Sequence, residues 1–233
     1  MRGRLGGHRR IVTLAGVAPR CVFVTGATGY LGRSLIPELL RRGHRVRALA
    51  RAHSTHRVPA GATVVVGDAL DPRTFGDAVA PADTLVHLVG TPHPSPAKAA
   101  QFKAVDLPSV EAALAAARTG GVRHIVYVSV AHPAPVMADY IAARRAGEAH
   151  IRASGIAATF VRPWYVLGPG HRWPYLLLPA YALLSLLPAT REGARRLALV
   201  TVEQMVAALV ASVEQEPDGV RVLDVPAIRA SKL

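Results

Sequence analysis

The sequence is poor in cysteine and in long apolar runs, and each shortage excludes a class of protein. Only one of its 233 residues is cysteine, so neither a disulfide framework nor a cysteine-based zinc or iron–sulfur site fits within one chain. Cys21 opens an apolar run, which is typical of a core residue. The most apolar stretch, 176–187, is too short to span a bilayer, so we expect it to line an apolar pocket or to lie at a membrane surface.

The chain is also short of acidic residues. Lys and Arg number 28 against 15 Asp and Glu, which gives a formal net charge of +13 at pH 7. Such a charge is compatible with binding to nucleic acid or anionic lipid. The basic residues form several small clusters, however, and no aromatic residues alternate with them as in a base-stacking surface. We therefore interpret the charge as a solvated, arginine-rich surface and expect no specific nucleic-acid partner.

Both ends of the chain resemble processing or targeting segments. Residues 1–20 carry five arginines and no acid, which predicts a disordered leader. Residues 229–233 are predicted to form a tail, whose last three residues spell a peroxisomal address: Ser231, Lys232 and Leu233. Three residues are a short signal, so a cytoplasmic location is expected and a peroxisomal one is the alternative.

Short β-branched runs alternate with helical patterns over residues 21–162. Strands are predicted at 21–25, 45–50, 63–66, 84–89, 124–130 and 156–162. Helices are predicted after the first strand, at 101–119 and at 139–153. This alternation predicts an α/β fold, a doubly wound parallel sheet of Rossmann type with helices on both faces.

Beyond Pro163 the strand–helix rhythm breaks. The remaining elements are predicted to be an apolar helical stretch at about 173–187, a helix at 202–214 and a strand at 220–225. We therefore expect a single domain over 21–228, in which 163–215 forms a small substrate-binding cap.

A glycine-rich motif, TGATGYLG, follows the first strand and opens the first helix. The first glycine permits a tight turn, the second lets the backbone approach a pyrophosphate, and the third allows close packing. The helix N-terminus favours bound phosphate. In this context the motif predicts a dinucleotide site, with a plain glycine-rich turn as the alternative. The candidate phosphate-binding residues are Gly26, Ala27, Thr28, Gly29, Tyr30, Leu31 and Gly32.

The end of the second strand distinguishes two cofactors. An acidic residue there would bind the ribose 2′-hydroxyl, but Arg51 stands there instead and can bind a 2′-phosphate. Arg33 is a second candidate for that phosphate. We therefore predict NADP(H), with NAD(H) as the alternative if Arg51 is only one of many surface arginines. Asp68, after the third strand, is placed either to accept a hydrogen bond from adenine or to cap a turn.

These motifs resemble the short-chain dehydrogenase/reductase superfamily, in its extended and atypical branches. The likeness runs from about 21 to 228 and rests on TGATGYLG, GDALD, VHLVG, VYVSV, the helix with Tyr140, and VRPWYVLGPG at 161–170. The last is similar to a segment of NAD(P)H-binding, epimerase/dehydratase-like and complex-I-accessory-subunit-like members. The resemblance implies that further residues surround the cofactor: Arg51, Asp68, Ala69, Leu88, Val89, Gly90 and, near the nicotinamide, Pro163.

The family's active site has a Tyr and a Lys four residues apart on a helix, and a Ser at the end of the fifth strand. By resemblance Ser129 and Tyr140 take the Ser and Tyr positions, whereas Arg144 stands in the Lys position. In the family the Tyr exchanges a proton with the substrate, the Ser orients the carbonyl, and the Lys binds the nicotinamide ribose and lowers the pKa of the Tyr. An ordinary Tyr has a pKa of about 10 and so needs a nearby cation.

Arg144 departs from this pattern. It supplies the cation and ribose donors, but it cannot shuttle a proton, since an arginine stays protonated. The other interpretation of these residues is a half-buried helical Tyr140 and a solvated Arg144.

Aromatic residues cluster after the sixth strand, where the family builds its substrate pocket. Candidate substrate residues are Trp164, His171 and Trp173, which would either hold an apolar substrate or pack the apolar stretch onto the sheet. His87 and His93 flank a proline-rich loop without carboxylates, so no metal site is expected and His87 is predicted to pack within a buried strand.

Taken together, the motifs predict an NADP(H)-dependent oxidoreductase that acts on an apolar carbonyl or alcohol, with Tyr140 as acid/base. The alternative is a non-catalytic NAD(P)H-binding redox sensor or an accessory factor of a membrane complex, which the arginine in the Lys position motivates. No feature of the sequence points to an oligomeric state.

Overall fold

The computed structural model describes residues 18–91, 95–134, 136–168, 192–193 and 195–233. Its strands are β1 (Cys21–Thr25), β2 (Arg45–Ala50), β3 (Thr63–Val66), β4 (Thr84–His87), β5 (His124–Val128), β6 (Ala157–Val161), β7 (Tyr165–Leu167), β8 (Leu199–Thr201) and β9 (Val220–Leu223). Its α-helices are α1 (Tyr30–Arg41), α2 (Ala99–Gln101), α3 (Leu107–Thr119), α4 (Ala138–Ala153), α5 (Val202–Glu214) and α6 (Val225–Ala230). A π-helical turn, Phe102–Asp106, joins α2 to α3.

Seven strands form one parallel sheet in the order β3-β2-β1-β4-β5-β6-β9. Thr25 at the end of β1 lies opposite His87 at the end of β4. This arrangement confirms the predicted doubly wound fold. The strand order reverses between β1 and β4, and in such sheets ligands bind outside the carboxyl ends of the strands at that point.

Both faces of the sheet are covered, which explains why the strands lack alternating polarity. Val22 and Val24 of β1 belong to the core that α1 and α5 cover, with Leu35 and Met205 among its members. Phe23 belongs to the opposite core, which α3 and α4 cover. Successive residues of β1 thus enter two different hydrophobic cores, as the period of a strand requires.

Strands β4 and β5 end at His87 and Val128, two residues before their predicted ends. The carbonyl of Val89, two residues after β4, and that of Val128, the last residue of β5, accept hydrogen bonds from the side chain of Arg144, so the backbone at the ends of these strands contributes to the site. The parallel pair β7–β8 was not predicted, because three-residue strands are too short to show a period. Helix α6 includes Arg229, which was assigned to the tail.

The fold begins before its predicted start. Arg20, assigned to the leader, is buried; its backbone N–H donates to His44 Nδ1 at 3.1 Å, and its Nη2 lies 2.8 Å from a carboxylate oxygen of Glu216. Residues 1–17 and the predicted apolar helix near 173–187 lie outside the described residues. Among the residues that are described, no helix combines the length and the apolarity needed to cross a membrane.

Candidate functional site

The loop from β1 to α1 is shaped by its glycines. Gly26 has a φ of +73°, which side chains rarely adopt, and a Cβ there would lie 2.9 Å from the carbonyl carbon of Leu88. Gly29 caps α1 and donates its N–H to the Gly26 carbonyl at 3.0 Å. A Cβ on Gly32 would lie 2.5 Å from that same oxygen. The first turn of α1 therefore comes close to the loop backbone, which only glycine permits.

Predicted cofactor residues from four adjacent strands meet at the carboxyl edge of the sheet. Leu88 follows β4 and touches the glycine loop. Arg51 follows β2 and is exposed. Asp68 follows β3, and its Oδ1 accepts a hydrogen bond from the N–H of Leu70 at 3.0 Å, so it caps a turn. A carboxylate has a second acceptor oxygen, so this turn cap does not decide whether Asp68 also binds adenine. The contact between Asp68 and adenine stays a prediction.

Arg144 lies inside the protein at the same edge. Its Nη2 is 2.9 Å from Oδ1 of Asp106, and the two side chains are only 6% and 0% exposed. Its Nη1 donates to the carbonyl oxygens of Val89 at 3.2 Å and Val128 at 3.0 Å. A Cβ on Gly90 would overlap the guanidinium. The interpretation of Arg144 as a solvated residue is therefore wrong.

The guanidinium of Arg144 keeps its positive charge. Burial alone would lower the pKa of Arg144, but the hydroxyls of Tyr140 and Tyr127 and the carboxylate of Asp106 hold it above its ordinary value. Within the described part of the chain, Nε of Arg144 is buried without a hydrogen-bond partner. The site thus contains a fixed cation with one spare donor.

Tyr140 lies one helical turn before Arg144 on α4 and is half-buried. Its ring centroid is 5.2 Å from Cζ of Arg144 and 5.1 Å from the ring centroid of Phe102. The spacing of four residues therefore brings Tyr140 and the cation together, as residues four apart on a helix share one face.

Ser129 follows β5 and is buried, with its N–H donating to the carbonyl of Val161 at 2.8 Å. Its Oγ lies beside the carboxylate of Glu148 on α4, without a hydrogen bond of good geometry. Burial alone would raise the pKa of Glu148, but the guanidinium of Arg162, with Nε 2.8 Å from Oε1, holds it below its ordinary value. The role of Ser129 toward a substrate carbonyl stays a prediction.

A chain of buried polar side chains begins next to the glycine loop. Thr25 Oγ1 is 2.9 Å from Nδ1 of His87, whose Nε2 is 3.2 Å from Oγ of Ser109. Ser109 donates its single proton to the carbonyl of Asp106 at 2.9 Å. His87 must therefore donate through Nε2 and accept from Thr25. Burial, together with the charge of Arg144, lowers the pKa of His87 from 6.5 to about 3. The predicted packing of His87 within a buried strand is confirmed.

The segment after β6 lies beside the segment after β5, since the carbonyl of Pro163 accepts from the N–H of Ala131 at 2.8 Å. Trp164 is half-buried, packs against the core under α1, and contacts the ring of Tyr165 at 5.4 Å between centroids. The other predicted substrate residues, His171 and Trp173, lie outside the described residues, as does His93. Over the described ranges, no group of three or more His, Cys, Asp or Glu side chains is arranged to hold a metal.

Asp106 is the main site residue that sequence reasoning missed. It lies between Val105 and Leu107 in a segment read only as an alanine-rich helix. An acidic side chain on the apolar face of a helix, in a chain with only 15 acids, is a usable signal, because buried carboxylates require partners.

The edge fits a dinucleotide. Gly26 and Gly29 leave the backbone bare above the N-terminus of α1, where helical N–H groups favour phosphate. The residues of the first helical turn, 30–33, carry no acid to repel it. The spare donor of Arg144 suits a hydroxyl group. Fold and site together define a dinucleotide-binding protein of Rossmann type.

The chain belongs to the NAD(P)H-binding family, whose model matches residues 26–172. It thus has the sequence family of NAD(P)H-binding proteins and a Rossmann-type fold, as the motifs predicted. The cofactor of this family is a nicotinamide dinucleotide.

Two curated relatives are reductases. The chain is 34% identical over 192 residues to ceramide reductase of Caulobacter vibrioides (strain NA1000 / CB15N), which covers 82% of this chain and 60% of the relative. It is 31% identical over 168 residues to 4-hydroxy-2-methyl-3-oxo-4-farnesyl-3,4-dihydroquinoline-1-oxide ketoreductase of Stigmatella aurantiaca, covering 63% and 50%. The chain therefore spans 60% and 50% of the length of these relatives.

The fold is also that of solved enzymes. The enzyme WbmH of Bordetella bronchiseptica, in complex with NAD+, superposes with a TM-score of 0.67 at 21% sequence identity. The match covers 89% of this chain and 76% of that one. At 21% sequence identity, this similarity establishes the fold alone.

Replacing Gly32 by alanine is expected to weaken dinucleotide binding at least about tenfold, because the new Cβ would force the phosphate loop to move. The atoms it would meet are backbone oxygens, 2.5 Å away at Gly26 and 2.6 Å away at Ala27, which cannot rotate aside. Fluorescence titration with NADPH and NADH measures the effect. Gly76→Ala is the matched control, since a Cβ there meets no atom within 4 Å. Equal affinity in both variants and the wild type would contradict this account of the loop.

Proposed function

We propose that this protein is an NADP(H)-dependent reductase of an apolar carbonyl compound, or the corresponding alcohol dehydrogenase, with Tyr140 as acid/base. The observation that carries the proposal is the contact between Tyr140 and the buried cation of Arg144, which lies against Gly90 at the edge where the glycine loop approaches Leu88 and Val89. The residues at this edge would hold the nicotinamide, which would supply or accept the hydride when bound.

Tyr140 is suited to exchange a proton with a substrate oxygen. The Arg144 guanidinium lies 5.2 Å from its ring centroid, where a positive charge would stabilise negative charge that develops on the phenol oxygen during proton transfer. Arg144 itself cannot deliver a proton. Since Tyr140 is only half-buried, its proton exchanges with solvent or substrate directly.

An apolar substrate is supported by two kinds of evidence. The names of the two relatives contain ceramide and a farnesyl group, which are large apolar moieties. In this chain Trp164 lies after β6, on the segment that runs beside the one after β5. The substrate class therefore follows the relatives, while its orientation would depend on Tyr140 and Ser129.

The preference for NADP(H) is supported by Arg51. It stands after β2, where an acid would otherwise bind the ribose, and its exposed side chain is available to a 2′-phosphate. We expect the wild type to bind NADPH more tightly than NADH.

Arg51→Ala is expected to weaken NADPH binding about five- to tenfold and to leave NADH binding within about twofold, since only NADPH carries the 2′-phosphate. Parallel titrations of both dinucleotides test this expectation. Arg118→Ala is the matched control, because Arg118 is an exposed arginine at the end of α3, remote from the carboxyl edge. A wild type that prefers NADH would overturn the assignment to Arg51.

The activity is tested by incubating the protein with NADPH and a series of ketones of increasing alkyl chain length. Consumption of NADPH that rises with chain length is the expected result. No consumption with any ketone, combined with tight NADPH binding, would reject the reductase proposal.

That outcome would favour a non-catalytic NAD(P)H-binding protein, such as a redox sensor or accessory factor. One observation supports this second candidate: the cation that stands in the Lys position is tied to Asp106 and to two backbone carbonyls. It predicts dinucleotide binding without turnover and a partner protein that co-purifies.

A further inference from the structure

The π-helical turn Phe102–Asp106 contacts both candidate catalytic residues of α4. Its first residue, Phe102, meets the ring of Tyr140 at 5.1 Å between centroids. Its last residue, Asp106, pairs with Arg144 at 2.9 Å. Two residues four apart on the turn thus meet two residues four apart on α4, in the same order. Such π turns occur often at functional sites.

Asp106 also holds the segment that follows β4. Its Oδ2 accepts hydrogen bonds from the N–H of Thr91 at 3.2 Å and from Oγ1 of Thr91 at 2.7 Å. Arg144, on the other carboxylate oxygen, donates to Val89 and covers Gly90. The carboxylate is therefore the common partner of α4 and of residues 89–91.

We propose that Asp106 is a positioning residue, whose carboxylate fixes Arg144 and residues 89–91 in one arrangement before the nicotinamide half of the cofactor binds. The inference rests on the proposed cofactor site. Asp106 is fully buried, so it acts through the two residues that it contacts, Arg144 and Thr91.

The physical reason is the cost of an unpaired buried charge. Without the carboxylate, the guanidinium of Arg144 would remain buried with only neutral partners, the carbonyls of Val89 and Val128 and the hydroxyl of Tyr127, and it would have to move toward water. Its departure would uncover Gly90 and remove the cation from Tyr140. The site would then have to reorganise on binding, which weakens affinity.

Asp106→Asn tests the proposal, because asparagine keeps the shape and an acceptor for Thr91 but removes the charge. The probes are NADPH, and 2′,5′-ADP and ADP, which carry only the adenosine half. We expect NADPH affinity to fall at least about tenfold, and affinity for 2′,5′-ADP and ADP to stay within about twofold. Unchanged NADPH affinity in Asp106→Asn would overturn the proposal.

Two further variants separate positioning from folding. Thr91→Val removes one hydrogen bond to Asp106 and is expected to weaken NADPH binding about threefold, with the adenosine probes again unaffected. Asp139→Asn, an exposed acid on α4, controls for the loss of one negative charge and should bind all probes like the wild type. Loss of 2′,5′-ADP and ADP binding in parallel with NADPH in both Asp106→Asn and Thr91→Val would mean that Asp106 only stabilises the fold, and would reject positioning.

The outcome is distinct from a failure of the proposed function. If the wild type binds neither the dinucleotides nor the adenosine probes, the cofactor site itself is wrong. If the wild type binds NADPH without turning over any ketone, the reductase proposal fails while the role of Asp106 in binding is still measured. Melting temperatures recorded with each titration identify any variant that is unfolded at the assay temperature.

Discussion

Tyr140→Phe is expected to lower turnover by about 10²–10⁴-fold, the usual contribution of a general acid or base. The phenylalanine ring keeps the contacts with Phe102 and with the Arg144 guanidinium, so the helix and the cation stay in place. Only the hydroxyl that exchanges the proton is removed. The measurement is the steady-state rate at saturating NADPH and ketone.

Two controls accompany this variant. Its melting temperature and its NADPH affinity should match the wild type, because the hydroxyl is the only group removed. A rate that survives the substitution would reject Tyr140 as acid/base even if the protein is a reductase. A parallel loss of rate and of NADPH affinity would instead point to a binding role for the hydroxyl.

The stability of the protein is expected to fall by roughly 4–5 kcal/mol as the pH is lowered from about 6.5 to about 4.5. Burial lowers the pKa of His87 to about 3 and that of His124 to about 4, with nearby arginines adding to both effects. In the unfolded chain both side chains bind a proton near pH 6.5, whereas in the folded protein they stay neutral to much lower pH. The unfolded state therefore binds more protons in this pH range. The contribution of the two histidines to the free energy of unfolding is complete above the range and decreases as the pH falls through it.

Urea unfolding at several pH values between 7.5 and 4.5 measures this dependence. His87→Gln is expected to reduce the slope by about half, since one of the two histidines whose pKa is lowered no longer titrates. His53→Gln is the matched control, because His53 is exposed and meets water in both states. The explanation would be refuted by an equal slope in His87→Gln and the wild type. Carboxylates such as Glu148, whose pKa is held below its ordinary value, contribute at more acidic pH.

The fold was predictable where its signals are local. The predicted bounds of β1, β2 and β3 match the structure, because each is a β-branched or apolar run that ends at a glycine or a polar turn. The ends of β4 and β5 were wrong, because the apolar residues continue while their carbonyls turn to Arg144. No local sequence pattern indicates that a side chain from another element donates to these carbonyls.

The candidate site was also predictable only in part. The glycine loop follows from its motif between a strand and a helix. The pair Tyr140 and Arg144 follows from the resemblance to the family, and the spacing of four residues places both on one helix face. The partners of Arg144 do not, since Asp106 comes from another element and meets it only through the π turn. Arg144 and Asp106 are 38 positions apart in the sequence, and no charge pattern around either residue indicates that the two form an ion pair.

The position of β9 in the sheet affects how the protein folds during its synthesis. Because β6 and β9 are parallel neighbours, the 58 residues from 162 to 219 must be synthesised before the last strand can dock. Until then a nascent chain presents the open edge of β6 and the core face that α5 later covers. Parallel pairings of this span close slowly, and exposed edges of this kind recruit other strands. The interval between translation of β6 and of β9 is thus the stage at which we expect the protein to depend most on chaperones.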